Sequence, residues 1–404
     1  MHIIEPSRRK QPVRHHSIRL LGIVLLIGVV AAGVINYSRP LPTPTATIRI
    51  RLPKPASFAT LAWPTYGQAA VAASGYGILA THGTMTPLAT ASITKVITAL
   101  CVLQKQPLSL GQSGPTYTIG PSDVALYKKY LAEDGSLLPV AQGQQFTEYQ
   151  ALEALMLPSA DNIADSLANW VFGSHAAYAR YATQFLTQHG MTQTHIGPDA
   201  SGFDSGTTST AYDLAKLGEL ALKTPVLLQI ADKSTATLPG VGIVHNYDTV
   251  LGVHGITGLK TGNNAVDTGA FLFTATTKVG KQVIPLTGVV MDAPSLETAL
   301  QNSTTLAVSL EHGFEQVTVV RANQVVGTMH DAWGSSVPVA TRGTLRVVRW
   351  KSEHIREKHQ IHAGIYTGTI GRLEVSAGST QTTTSLVLTK PLPGPSLWWR
   401  LTRH

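Results

Sequence analysis

The sequence predicts a two-lobed α/β protein followed by a small all-β domain, and three observations carry this reading. Apolar residues recur at helical spacing between Ser92 and Lys223, strand-like segments flank that block at 68–80 and 255–291, and short β-rich segments separated by turn residues follow Gly313. Strands that bracket a helical block, closed by a helix from Ser295 to His312, form one layer with the all-helical insertion packed beside it. A functional cleft is expected between the lobes. At 404 residues and 43% hydrophobic content, the chain can hold two domains and appendages around a sizeable core.

The first 17 residues form a basic tail with Arg8, Arg9, Lys10 and Arg14, and residues 18–37 hold a nearly unbroken apolar run. That run has the length of a short membrane helix, and its basic flank keeps the amino end in the cytoplasm with the rest of the chain exported. The expected location is the cell membrane, single-pass. Val30-Ala31-Ala32 offers a small-residue cleavage site, so a removed signal peptide is the alternative. Residues 38–56 contain Pro40, Pro42, Pro44, Pro53 and Pro55 among Thr, Arg and Lys, which predicts a stiff, extended tether without compact structure. A first compact region is expected over 57–315 and a β-rich one over 316–404.

Net charge is +8, but the 31 Lys and Arg residues form no long stripe within the compact regions. This favours an anionic wall or lipid surface over nucleic acid. The single cysteine, Cys101, excludes an internal disulfide and any multi-cysteine metal site, and it reads as a core residue. His82, His175, His189, His195, His245 and His254 show no metalloprotease spacing, so no metal site is expected.

Residues 68–80 read as two strands joined at Ser74-Gly75-Tyr76-Gly77. They lead into a buried helix with Ile93, Val96, Ile97, Leu100, Val102 and Leu103 on its apolar face and Ser92 in its first turn. Residues three apart share a helix face, so the Lys95 amine leans over the Ser92 hydroxyl, and the helix start favours developing negative charge. Serine is a weak nucleophile and needs such an adjacent base; lysine serves as one when desolvation or a nearby cation lowers its pKa. A short helix is expected from Asp123 to Ala132, and Thr147 with Gln150 forms a capping box for a helix that stops at Pro158. Ser159 then occupies the corner between two helices, where it reads equally as an N-cap. Further helices open at Ser174 and at Thr210.

The pattern switches at Gly255, where the strand through Gly262 precedes the turn-prone Asn263-Asn264 and a hairpin, Ala270–Thr277 with Gln282–Met291. Five β segments follow: Val317–Val320, Val325–Met329, Leu345–Trp350, Ile365–Ile370 and Ser385–Leu388. The tail pair Trp398-Trp399 reads either as a membrane-interface contact or as packing against the domain.

Ser92-Ile93-Thr94-Lys95, then Ser159-Ala160-Asp161, then Lys260-Thr261-Gly262, in this order, resemble the penicillin-binding serine peptidases, most closely the D-alanyl-D-alanine carboxypeptidases. Asp199-Ala200-Ser201-Gly202 and Ser209-Thr210-Ala211 look like the family's surrounding text. The resemblance implies a β-lactamase/transpeptidase-like fold and a peptidase acting on peptidoglycan stem peptides without a cofactor, with β-lactams as inhibitors. It makes Ser92 the acylated nucleophile, Lys95 its general base and Ser159 the proton relay to the leaving amine. Lys260 and Thr261 would hold the substrate carboxylate, with the Lys260 charge lowering the pKa of Lys95. Gly262 would admit the substrate, and the N–H groups of Ser92 and Asn263 would form the oxyanion hole.

Asp161 departs from the family pattern, which has asparagine there. An ionised carboxylate only accepts hydrogen bonds and, unless it turns away, opposes the role of Lys95 as base; Asp161 keeps the substrate-binding position the resemblance implies, and Asn162 or a water is expected to supply the amide's contact. A wall-binding protein that keeps the fold without full catalysis is the alternative. A β-lactamase would need a deacylating glutamate between the second and third motifs, and Glu219 there lacks the expected context.

Overall fold

The structure, a computed structural model, describes residues 14–57, 60–263 and 268–403. The basic positions Arg8, Arg9 and Lys10 and the turn residue Asn264 lie outside them. The helices are α1 (Arg14–Ser38), α2 (Thr94–Lys105), α3 (Pro121–Ala132), α4 (Glu148–Met156) and α5 (Asp161–Phe172), then α6 (His175–Gln188), α7 (Ala211–Ala221), α8 (Pro225–Ala231), α9 (Leu296–Glu311) and α10 (Leu397–Thr402).

A five-stranded antiparallel sheet runs in the order Ile256–Asn263, Gly269–Val279, Gln282–Ala293, Gln68–Ala73, Gly77–His82. Strand side chains alternate between faces, and both faces here are buried. Phe271, Phe273 and Ala275 pack with Leu300, Leu306 and Leu310 of α9, while Ala270 and Leu272 join Val96, Ile97, Leu152 and Leu214 in the core of the helical lobe. The central strands are therefore largely apolar; α7 packs on the sheet, and α2 lies within the helical lobe with Val96, Ile97 and Val102 fully buried.

Local signals place the helices where the sequence predicts them. Thr147 Oγ1 accepts the Gln150 N–H at 3.3 Å while Gln150 Oε1 accepts the Thr147 N–H at 2.9 Å. Ser174, Thr210 and Ser295 cap α6, α7 and α9 through their hydroxyls. Ser159 is not a cap: α5 has Ala160 in that position.

The C-terminal region has a third core around Val337, Leu373 and Leu386, beneath a six-stranded sheet and the separate strand pair Phe314–Val320 with Leu345–Trp350. The segment 38–56, expected as a stiff, extended tether, is extended and in part docks on this region. Thr45–Ile48 is the edge strand of the six-stranded sheet, in register from Thr45 opposite His330 to Ile48 opposite Gly327. The Arg349 guanidinium, paired with Glu315, also donates to Pro53 O at 3.2 Å and Lys54 O at 2.7 Å. The expected β segment Ile365–Ile370 is largely a turn, with its strand beginning at Thr369.

Helix α1 contains 21 residues, Ile18–Ser38, long and apolar enough to cross a membrane. Its carboxyl end is clasped by the other end of the chain. Asn36 Nδ2 donates to Leu401 O at 3.2 Å, and the Arg403 guanidinium donates to Asn36 O at 2.7 Å, to Pro40 O at 3.1 Å and to Arg39 O. Of the tail pair, Trp399 packs edge-on against Trp333, whereas Trp398 stays 75% exposed.

Candidate active site

Ser92 sits in a 3₁₀ turn, Ala91–Ile93, that feeds α2, rather than within the α-helix itself. Ala91 is held at φ 47°, a conformation that costs an L-residue free energy and persists only where its surroundings fix it. Those surroundings are on either side of the turn. The Thr90 N–H donates to Thr207 O at 3.1 Å, and the Thr90 and Thr94 hydroxyls share a hydrogen bond of 2.7 Å. Two glycines permit the approach: a Cβ on Gly262 would lie 3.2 Å from Thr90 O, and one on Gly202 would overlap Ala91 O at 2.0 Å.

Lys95, one turn after Ser92, is fully buried. Its Nζ donates to Ser92 Oγ at 2.8 Å, to Asp161 Oδ1 at 2.6 Å and to Ser201 O at 3.0 Å, which uses all three ammonium donors. Asp161 does not turn away. Its Oδ2 accepts the Ser136 N–H at 2.8 Å, so both oxygens are engaged at the first residue of α5. Nor does Asn162 replace it: the Asn162 side chain bonds Leu138 N and O, each at 3.0 Å, and holds the 136–138 loop.

Ser159 lies in the corner between α4 and α5 at φ 60°, with its hydroxyl buried and without a partner among the described residues. Positive φ on a non-glycine residue, combined with an unsatisfied polar atom, is characteristic of a position shaped by function. Lys260 reaches the site from the sheet lobe, its Nζ directed to Thr261 O at 3.2 Å and Thr261 Oγ1 at 3.4 Å. Burial, then the neighbouring charge of Lys95, pulls Lys260 down to about 7, against the opposing pull of Asp161 and Asp248. The Lys95 ammonium is paired directly with Asp161. Asn263 ends the strand, exposed and opposite Gly269.

Sequence reasoning did not assign three participants. Ser201 and Ser136 act through backbone atoms, which leave no side-chain signature. Asp248 is buried with Oδ2 unpartnered among the described residues, and burial pushes it up to about 6. The Asp199 segment resembles the family's surrounding text in the sequence without a role of its own there. Its carboxylate accepts the N–H groups of Ser201, Gly202 and Asp204 at 2.7, 2.6 and 2.8 Å and so shapes the loop that presents Ser201 O to Lys95. Glu219 lies on α7, where its charged neighbours are Lys216 and Lys223. Cys101 is buried, its thiol pushed well up by desolvation.

A sheet and a helical lobe that converge on a serine with a lysine one turn on define the transpeptidase/β-lactamase fold, and solved structures align with it over most of their length. Penicillin-binding protein 5 from Haemophilus influenzae is 17% identical, with a TM-score of 0.57 over 84% of this chain and 100% of that one. PBP3 from Streptococcus pneumoniae, described as a peptidoglycan synthesis regulatory factor, gives 19% and 0.60 over 82% and 100%. The Streptomyces K15 DD-transpeptidase gives 23% and 0.53 over 63% and 98%. The family profile described as D-alanyl-D-alanine carboxypeptidase matches residues 69–295, and the chain belongs to that family. It is also 32% identical over 134 residues to D-alanyl-D-alanine carboxypeptidase DacB2 of Mycobacterium tuberculosis strain H37Rv, a match covering 30% of this chain and 44% of that relative's length.

Proposed function

We propose that the chain is a serine-type D-alanyl-D-alanine carboxypeptidase that removes the terminal D-alanine of peptidoglycan stem peptides through an acyl-enzyme on Ser92. The observation that carries this reading is the 2.8 Å contact between Ser92 Oγ and Lys95 Nζ, at a point both lobes reach. As a neutral amine, Lys95 keeps two donors for Asp161 and Ser201, and its lone pair faces the Ser92 hydroxyl, which then donates along the same line. Oγ attacks the carbonyl of the penultimate D-alanine while its proton moves to Nζ. Asp161 at 2.6 Å stabilises the ammonium that forms.

The N–H groups of Ser92 and Asn263 receive the oxyanion, and Gly262 lets the substrate lie close to the strand. Lys260 and Thr261 hold the terminal carboxylate. The unpartnered Ser159 hydroxyl passes a proton from Lys95 to the departing amine, D-alanine leaves, and water then hydrolyses the Ser92 ester. β-Lactams enter by the same attack and block the serine. Asp161, with both oxygens occupied, supports the alternative of a wall-binding protein of the same fold. Glu219, on α7 with Lys216 and Lys223 as its charged neighbours and without the expected sequence context, supports a peptidase over a β-lactamase.

The clasp between Arg403 and the end of α1 supports an uncleaved membrane anchor, with the compact regions outside the cytoplasmic face. Incubation of the full chain in detergent with a stem pentapeptide tests the reaction. Stoichiometric release of D-alanine by the wild type and none by Ser92→Ala is expected. Peptide binding without release by the wild type would favour the wall-binding alternative.

A further inference from the structure

Where the Gly280 hairpin of the five-stranded sheet meets the C-terminal region, a cleft of about 440 Å³ opens between them. One wall is the turn at Gly280 and Lys281. The other is formed by Gln316 and Arg346 of the separate strand pair, by Thr344 beside it, and by Thr382 and Thr383 of the strand Thr380–Leu388. Contacts across the junction fix both walls. Phe314, Val348 and Trp350 of the strand pair join the core formed by the sheet and α9, Tyr76 OH donates to Val348 O at 2.9 Å, and Gln282 Nε2 donates to Thr380 Oγ1 at 3.0 Å. A Cβ on Gly280, at φ 63°, would lie 2.9 Å from Gln316 Nε2, so the turn closes directly on that side chain.

Lys281 and Arg346 are exposed and form no ion pair within 4.0 Å, and the Gln316 amide and Thr383 hydroxyl have no hydrogen-bond partner among the described residues. None of the described residues that line the cleft is acidic. Glu315, beside Gln316, pairs with Arg349 at 2.8 Å, and Glu374, opposite Thr383 on the next strand, is itself opposite Lys358. Unpaired cations on facing walls, with amide and hydroxyl donors between them, make a receptor for an oxyanion. A tetrahedral phosphodiester turns its two free oxygens to different sides and can span both walls, whereas a planar carboxylate presents both to one partner.

Position selects the source of that phosphate. Thr383 lies five residues before Leu388, about 17 Å along the strand. Beyond Leu388, the Leu392 N–H donates to Tyr366 O at 2.8 Å, Tyr366 stacks on Trp333 at 6.2 Å, and Trp333 meets Trp399 of α10, which packs on α1. The cleft therefore lies at the other end of the strand from the membrane-length helix, farther than a Debye length of about 8 Å from a lipid surface there. We propose that the cleft binds a phosphodiester of an anionic wall polymer and so holds the chain on the wall through a site separate from Ser92. This inference rests on the exported placement of the compact regions and not on the chemistry of Ser92.

The test uses the full chain in phosphatidylcholine nanodiscs at low salt, with poly(glycerol phosphate) as the probe. Kd is measured for the wild type, for Lys281→Gln/Arg346→Gln and for the control Arg356→Gln/Arg372→Gln, which removes two exposed cations elsewhere in the same region. The cleft variant is expected to bind about tenfold more weakly, as for two exposed charge-assisted contacts, and the control less than about twofold. Polymer slows acetylation of Lys281 in the wild type at least about threefold, read by peptide mass spectrometry. D-Alanine release from a stem pentapeptide without polymer changes less than about twofold in both variants. Equal weakening by the two variants would reduce the binding to diffuse charge attraction and overturn the site. Equal affinity for polygalacturonate would overturn the phosphodiester assignment. Protection of Lys281 by phosphatidylglycerol nanodiscs alone would assign the cleft to lipid headgroups and overturn the wall polymer. D-Alanine release without polymer binding would remove the cleft and leave the peptidase, and polymer binding without release would do the reverse.

Discussion

Lys95 Nζ lies 2.6 Å from Asp161 Oδ1, with the two side chains 0% and 3% exposed. The pair stands where the family pattern sets an amide against the lysine, and it ties the nucleophile to α5. Two consequences follow from its burial. The ion pair offsets the desolvation of both groups, and loss of either partner leaves an uncompensated buried charge.

Asp161→Asn, which restores the amide of the family pattern, is expected to speed benzylpenicillin acylation at pH 7 by at least about tenfold. Asp161→Ala destabilises the fold by about 3–5 kcal/mol, because the amide's acceptor is missing too. Stopped-flow acylation at that pH checks the first, and denaturant unfolding checks the second.

Ser159 separates stability from catalysis. Its φ of 60° is strained for serine and its hydroxyl has no partner to lose among the described residues. Ser159→Gly is expected to stabilise the fold by about 1 kcal/mol while lowering D-alanine release by 10²–10⁴-fold. Thermal unfolding beside single-turnover kinetics reads both.

In its proposed role as the carboxylate-binding residue, Lys260 sets a pH limit on substrate binding. Its pKa is depressed to about 7, and holding a carboxylate requires the ammonium, so affinity falls as pH rises through that value. KM for the stem peptide is expected to rise above pH 7, approaching tenfold per pH unit before the substrate's own charge limits the effect. A pH profile of KM measured separately from kcat checks it.

Glu148, at the start of α4, is fully buried, with both carboxylate oxygens unpartnered among the described residues, and burial raises it from 4.5 to about 7. The folded form holds the proton more tightly than the unfolded chain. Stability is thus complete at low pH and declines as pH rises from 4.5 to about 7. Glu148→Gln removes this loss and gains up to about 3 kcal/mol at pH 8 relative to pH 5. Denaturant unfolding at the two pH values measures the difference.

Local chemistry made much of this legible in the sequence. The Ser92 to Lys95 spacing, the Thr147 capping box and the hairpin around Gly280 depend on neighbours within a few residues, and the structure retains them. The elements that escaped depend on distant partners. Thr45–Ile48 is flanked by prolines and becomes a strand only because Val325–His330 lies beside it. Arg356–Ile361, an exposed edge strand of charged and polar residues, has no apolar face to mark it, and Pro338 interrupts the signal of Ser336–Thr341. Helix α8 opens on Pro225, a residue that reads as the end of the preceding helix as readily as the start of the next. The orientation of Asp161 is not legible in the sequence for a similar reason: the Ser136 N–H that holds it arrives from a loop 25 residues away.

The most direct test of the account is intact-protein mass spectrometry of the wild type and Ser92→Ala after incubation with benzylpenicillin. An adduct of one antibiotic molecule on the wild type and none on the variant is the predicted result. No adduct on either, with the antibiotic recovered intact, or an equal adduct on both, would contradict Ser92 as the nucleophile.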